Sequence, residues 1–132
     1  MYLLDTNTLI YFFKNTGKVA DTLLSKSPKD IAVPSISIFE LEVGIAKSVS
    51  PKKRTKQLES LVSLLTIIPF GEKEAKAAAK IRADLETVGK PIGPYDTLIA
   101  GTAVSLKCIL VTHNTKEFSR VKNLKTEDWY QL

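Results

Sequence analysis

Short apolar runs alternate along this chain with longer stretches of helical period. The apolar runs Tyr2–Leu4, Ile31–Val33 and Cys108–Val111 read as strands, and apolar residues recur at three- and four-residue spacing between them. This alternation is typical of a parallel sheet covered by helices on both faces. The sequence therefore predicts an α/β fold of three layers, α/β/α, around a central, mainly parallel sheet of four to five strands.

Periodicity and end signals predict the helices and the two remaining strands. Pro69 cannot donate to a central ladder, so the strand that contains it is expected at the margin of the sheet. A short final strand is expected at Leu124–Thr126. The strand at the margin of the sheet is predicted at Ile67–Phe70. A first helix, Thr6–Phe13, would be capped by Asp5 or Thr6, and a second, through Phe39, Val43 and Ala46, by Ser35 or Ser37. The other predicted helices are Thr55–Leu65, Glu72–Val88 and Tyr95–Leu106.

Length and hydropathy favour one domain over residues 1–132. The 44% hydrophobic content is enough for a single core. No apolar run approaches the roughly 20 residues of a membrane span, and the first residues lack the charged and apolar regions of a secretory signal. We therefore expect a soluble, cytoplasmic protein with no membrane association.

Scarce cysteine and histidine exclude several chemistries. Cys108 is the only cysteine, which excludes an internal disulfide or a thiolate-rich zinc site, and we expect it to pack as a small hydrophobe. His113 is the only histidine, which excludes RNA cleavage by a pair of imidazoles, and we expect an ordinary polar loop residue there. The net charge of +5 favours an anionic partner only modestly.

Three acids lie where helices and strands meet. Asp5 ends the first strand, Glu40 lies early in the helix after the second strand, and Asp96 lies in the first turn of its helix. Ligands of open parallel sheets bind beyond the carboxyl ends of the strands. Taken singly, Asp5 and Asp96 are also explained as acids favoured by a helix N-terminus. Glu40 would lose hydration in an apolar helix unless a cation compensates, but the same holds for Glu42.

Carboxylates without a histidine or cysteine cluster suit hard cations. Mg²⁺ prefers oxygen ligands and keeps several waters, and Mn²⁺ accepts the same ligands. Such ions promote in-line displacement at phosphorus by supplying hydroxide and by stabilising charge on the departing oxygen. The chemistry therefore indicates a phosphate substrate.

Four segments follow one another in a specific order: YLLDTNTLIYFFK, SISIFELEVGIAKS, IRADLETVGKPIGPYDTLIAGTA and LVTHNTKEF, the last followed by a tail that contains LKTEDW. Over essentially the whole chain they resemble the PIN-domain nucleases and, among them, the VapC-type toxins of type II toxin–antitoxin pairs. The resemblance implies a PIN-like fold and a metal-dependent endoribonuclease toxin that cleaves RNA phosphodiester bonds with a metal-activated water. It also implies a cognate antitoxin, a homodimer, and a larger assembly with that antitoxin.

The resemblance also implies which residues act. Asp5, Glu40 and Asp96 match the family's catalytic and metal-binding acids, so it selects Glu40 over Glu42. Many PIN domains carry a fourth acid where this chain has Asn114, a departure that puts a second metal ion in doubt and that Glu117 could offset. The remaining supporting positions are Thr6, Asn7 and Thr112.

Basic and aromatic residues near these motifs are candidates for RNA binding. Lys116 and Arg120 follow the strand that leads to Asn114 and are expected to hold phosphates. Unchanged RNA binding and salt dependence after their charge reversal would refute this. Tyr95 could stack a base, although packing is the commoner role. The run Lys52, Lys53, Arg54 and Lys56 is read as a solvated face.

Three rival functions stay open on the sequence alone. A haloacid-dehalogenase phosphatase is disfavoured because Asn7 stands where that motif has its second aspartate, and a trapped phospho-Asp5 adduct would be needed to revive it. A catalytically impaired PIN-like module that binds RNA or protein is supported only by Asn114. Cleavage of DNA is the third, because this chemistry does not require a 2′-hydroxyl.

Overall fold

A computed structural model describes residues 1–131, in which five parallel strands form one sheet in the order β3-β2-β1-β4-β5. The strands are β1 (Tyr2–Leu4), β2 (Ile31–Pro34), β3 (Thr66–Ile68), β4 (Ile109–Val111) and β5 (Lys125–Glu127). The helices are α1 (Thr6–Lys14), α2 (Val19–Leu24), α3 (Ser35–Ala46), α4 (Pro51–Val62), α5 (Glu72–Thr87), α6 (Pro94–Leu106) and α7 (Thr115–Phe118), with a 3₁₀ turn at Pro28–Asp30.

Neighbouring residues of β1 point to opposite sides of the sheet, and each side is covered by helices. Leu3 packs in one hydrophobic cluster with Ile99 of α6 and Phe118 of α7. Leu4 packs in a second cluster with Leu9 of α1 and Trp129. The predicted three-layer α/β/α architecture with a parallel sheet is confirmed, and β1 lies at its centre.

The strand predictions hold, with small shifts at the ends. β3 is an edge strand as expected, but it ends at Ile68, so Pro69 and Phe70 lie beyond it. Cys108 precedes β4 instead of belonging to it, and it is buried as a small apolar group. β5 begins one residue later than predicted.

Two predicted helix starts are wrong, and α6 begins at Pro94, one residue before the predicted Tyr95. α3 has Pro34 at its N-cap with no side-chain cap, because Ser35 accepts a hydrogen bond from the Phe70 amide and Ser37 is turned inwards. α4 begins at Pro51 instead of Thr55, since proline is well suited to the first helical turn. The short elements α2, α7 and the 3₁₀ turn were not predicted, because each is too short to show a helical period.

No helix within residues 1–131 is both long enough and apolar enough to cross a membrane.

Candidate active site

Asp5 lies at the carboxyl end of the central strand and caps α1. Its Oδ1 accepts a hydrogen bond of 2.9 Å from the Thr8 amide, and only 3% of the residue is exposed. Burial raises the pKa of the Asp5 carboxyl, and the charge of Glu40 adds to this, while hydrogen bonds from Thr112 and Thr8 oppose it. Asp5 is therefore a fixed, buried carboxyl whose ionised form would gain from a nearby cation.

Glu40 is tied to α1 through a hydroxyl. Thr6 Oγ1 lies 2.7 Å from Glu40 Oε1 and 2.9 Å from the buried Ser37 Oγ. Glu42 is exposed on another face of α3. The structure thus brings Glu40, and not Glu42, to the edge of the sheet where Asp5 lies.

Asp96 lies in the first turn of α6, after Gly93 and the helix-initiating Pro94. Burial, followed by the charges of Asp5, Glu117 and Glu40, raises the pKa of Asp96 to about 6. Since the effect of a charge falls with distance, these four acids share one region of negative potential. Acids that flank or belong to α1, α3, α6 and α7 are thus gathered at the carboxyl edge of the sheet.

The loop after β4 contributes the remaining polar groups. Thr112 is fully buried, and its Oγ1 accepts a 3.0 Å hydrogen bond from the Asn114 amide. The Asn114 side-chain amide donates to a carboxylate oxygen of Glu117. Asn114 and Glu117 therefore form one hydrogen-bonded unit, with Glu117 supplying the negative charge.

The RNA-binding candidates have different surroundings. Lys116 is exposed on α7, whereas the Arg120 guanidinium donates a 3.1 Å hydrogen bond to the Pro91 carbonyl, in the loop that leads to Asp96. Tyr95 is 44% exposed, and its ring lies 5.6 Å from that of Phe39. Asn7 is exposed on the first turn of α1.

Sequence reasoning did not identify Ser37 and Thr8 as site residues. Ser37 reaches Thr6, and Thr8 Oγ1 donates a 3.1 Å hydrogen bond to the Val111 carbonyl while its amide binds Asp5. Both residues are polar and buried. A hydroxyl between Ile36 and Ile38 was the signal that could have identified Ser37.

The donor set fits a hard divalent cation that retains waters. Every polar side-chain atom named around Asp5, Glu40 and Asp96 is an oxygen except the Asn114 amide nitrogen, and no salt bridge within residues 1–131 neutralises these three acids. Across the described chain, no group of three or more His, Cys, Asp or Glu side chains is placed so that it could hold a metal ion by itself. One or two carboxylates with water completing the shell is the arrangement Mg²⁺ commonly adopts.

The raised pKa of Asp96 predicts a pH-dependent stability. Its carboxyl has a pKa of about 6 in the folded protein against an ordinary value of 3.8. Below pH 3.8 the Asp96 carboxyl is protonated in both the folded and the unfolded protein, and it does not lower the stability of the fold. As the pH rises through 6, the folded protein must hold a costly charge, and this stability is lost. With a chelator present, Asp96→Asn should melt at a higher temperature than the parent at pH 8. The difference should disappear at pH 4, and equal melting at both pH values would contradict the assignment.

Comparison with known proteins agrees with this geometry. The PIN domain family model matches residues 2–124. A tRNA(fMet)-specific endonuclease VapC of Shigella flexneri is 36% identical over 97% of both chains, and ribonuclease VapC2 of Haemophilus influenzae is 38% identical over 97% of both.

Solved structures extend the similarity to three dimensions. DNA-bound VapBC from Salmonella typhimurium matches with a TM-score of 0.91 and 34% identity over 97% of both chains. VapBC2 from Rickettsia felis, bound to a DNA fragment from its promoter, matches with a TM-score of 0.88 and 37% identity over 97% of this chain and 98% of that one. The chain therefore belongs to the PIN-domain family and, within it, to the VapC ribonucleases, the toxins of toxin–antitoxin systems.

Proposed function

We propose that this chain is a Mg²⁺-dependent endoribonuclease, with Mn²⁺ as a substitute ion, whose site is formed by Asp5, Glu40 and Asp96. One observation carries the proposal: burial raises the pKa of Asp96, and the charges of Asp5, Glu117 and Glu40 raise it further. Carboxylates that destabilise one another in this way gain most when a divalent cation is bound. The nuclease class follows from the family, and the ion and residue roles are our proposal.

Each residue has a distinct role in this proposal. Asp5 and Asp96 would be the principal metal ligands, with Glu40 as a third ligand or the acceptor of a proton from water. The bound ion would supply an activated water and would stabilise charge on the departing RNA oxygen. Thr6 orients Glu40 by its hydrogen bond.

The loop after β4 would complete the site. The Thr8 amide holds Asp5 in place, and Thr112 opposes the rise in the pKa of Asp5 that burial causes. Asn114, paired with Glu117, would orient a water at the position of the fourth family acid. Asn7 and Tyr95 are exposed and precede Thr8 and Asp96 in the chain, and with Lys116 they would contact RNA. Arg120 would act mainly through its bond to the Pro91 carbonyl.

The proposed partners are an RNA substrate, a cognate antitoxin and a second copy of the chain. Antitoxin binding is supported by the VapBC complexes of Salmonella typhimurium and Rickettsia felis. We also propose that residues 1–132 form one PIN domain. If the reading frame just upstream encodes a small DNA-binding protein, its co-expression with this chain should give a stable complex with reduced cleavage. Separate elution of the two proteins would contradict the antitoxin proposal.

The paired variants Glu40→Gln and Glu42→Gln test the site itself. Glu40→Gln should lower RNA cleavage by roughly 10- to 100-fold and weaken Mn²⁺ binding, because it removes a charge from the proposed site. Glu42→Gln removes the same charge from an exposed position of the same helix and should leave both unchanged. Calorimetric Mn²⁺ titration and single-turnover cleavage would measure the difference. Equal behaviour of the two variants would refute the role of Glu40.

A further inference from the structure

A cluster formed by His113, Asp128, Tyr130 and Tyr11 lies beside the proposed site but outside it. His113 Nδ1 lies 2.9 Å from Asp128 Oδ2, and the two side chains are 33% and 21% exposed. The imidazole stacks on the Tyr130 ring at 4.4 Å between centroids, and Tyr11 of α1 packs edge-on against both rings. The prediction of an ordinary loop histidine therefore misses a specific set of contacts.

The C-terminal residues of this cluster are fixed on the body of the protein. The Asp128 Oδ1 atom accepts a hydrogen bond from the Tyr130 amide at 2.9 Å, and the Tyr130 carbonyl accepts one from the Lys18 amide at 3.0 Å. Trp129, between them, is 1% exposed. A Cβ at Gly17 would lie 2.7 Å from the Tyr130 ring, so the backbone approaches that ring closely. The segment 128–130 thus offers a rigid anchor, and it lies beyond residues 2–124 of the PIN domain match.

Both chain neighbours of His113 belong to the proposed site. Thr112 precedes it, and its hydroxyl opposes the rise in the pKa of the buried Asp5 carboxyl. Asn114 follows it and donates to Glu117, whose charge acts on Asp96. A shift of the His113 backbone would therefore move Thr112, which affects Asp5, and Asn114, which is bonded to the Glu117 carboxylate that affects Asp96.

We propose that His113 and Asp128 are positioning residues: their hydrogen bond anchors the loop 112–114 to the C-terminal segment and so fixes Thr112 and Asn114 in the nuclease site. The expected effect on RNA cleavage rests on the proposed function. Its structural part, the anchoring of the loop, stands on the contacts alone. Substitution of residues that lie outside a site but orient its groups commonly changes activity, although these residues do not contact the substrate.

The test uses variants of the full chain. His113→Ala should lower kcat by roughly 10- to 100-fold with little change in the KM for RNA, because the loop loses its orientation and no substrate contact is removed. His113→Asn places an amide donor near the position of Nδ1 and should restore most of kcat. The double variant with Asp128→Ala should be no slower than Asp128→Ala alone, because both changes remove the same bond.

A matched control comes from the same segment. The Glu127 side chain accepts a hydrogen bond from the Trp129 indole at 3.0 Å, and Glu127→Ala removes that bond without removing the His113–Asp128 pair. Glu127→Ala should leave kcat unchanged. If it lowers kcat as much as His113→Ala, or if His113→Asn fails to restore kcat, the proposal is overturned and loss of stability explains the effect.

Amide hydrogen exchange provides a measurement independent of catalysis. The Asn114 backbone amide donates a hydrogen bond to Thr112 Oγ1, and the Thr112 backbone amide donates one of 2.9 Å to the Glu127 carbonyl. His113→Ala should speed exchange at these amides by about tenfold, whereas Glu127→Ala should not, because local opening governs exchange. Unchanged exchange in His113→Ala would refute the anchoring role. Cleavage that survives Asp5→Asn would instead refute the proposed function, and the exchange result would still stand.

Discussion

Replacement of Asp5 by asparagine is expected to lower RNA cleavage by roughly 10³-fold or more, since loss of about 4 kcal/mol of transition-state stabilisation corresponds to that factor. The asparagine side chain would keep the shape of the aspartate and an oxygen that can accept the Thr8 amide bond, so the cap of α1 should persist. The variant removes the negative charge that the proposed metal site needs. Circular dichroism should therefore stay close to the parent. Urea unfolding should show a stability equal to or above that of the parent, because burial makes the charge of Asp5 costly in the folded protein.

Single-turnover cleavage of a labelled RNA pool, with Mg²⁺ and with a chelator, measures this effect. A nuclease loses metal-dependent cleavage in Asp5→Asn, whereas a PIN-like binding module has none to lose in the parent. Residual cleavage within a factor of a few of the parent would remove Asp5 from the site. Parallel assays on single-stranded DNA would test the alternative substrate class.

A second large effect is expected from Gly101→Ala in α6. A Cβ at this position would lie 2.6 Å from both the Cβ and the backbone nitrogen of Ala78 in α5, a distance that requires the helices to separate. Overpacking against backbone should destabilise the fold by roughly 3 kcal/mol, although alanine is the better helix former. The midpoint of urea unfolding would measure this change.

Gly44→Ala is the matched control for that substitution. Gly44 also lies inside a helix, but no atom outside that helix lies within 4 Å of the position that a Cβ would take there. The helix propensity of alanine should therefore raise the stability by about 0.5–1 kcal/mol. Opposite signs for the two substitutions are expected, and stabilisation by Gly101→Ala would show that α5 and α6 can move apart at little cost.

Much of the fold followed from local sequence signals. The buried apolar runs of β1 and β2, the breakers around Gly89, and the proline in the 67–70 segment each report a constraint that acts within a few residues. Such signals predicted β1, β2, the edge position of β3 and the long helix α5. The short helices α2 and α7 could not be predicted, because a single helical turn or two has no clear period and is stabilised by packing.

The candidate site was predictable only as a set of acids. Helix-capping roles explained Asp5 and Asp96 equally well, and apolar surroundings did not separate Glu40 from Glu42. That distinction came from the resemblance, and the structure then placed Glu40 beside Thr6 and left Glu42 exposed. Arg120 was predicted to bind phosphate, but its bond to the Pro91 carbonyl depends on residues 29 positions apart and has no local signature.

The sequence by itself determined the strand and helix order, the absence of a cysteine or histidine pair, and the acids that follow strands, because composition and short-range periodicity encode these features. Only the tertiary structure decided that the charges of Asp5, Glu40 and Glu117 act on Asp96 and that His113 reaches Asp128. The physical reason is that burial and electrostatic coupling depend on distances between residues far apart in sequence, and those distances exist only once the sheet has assembled.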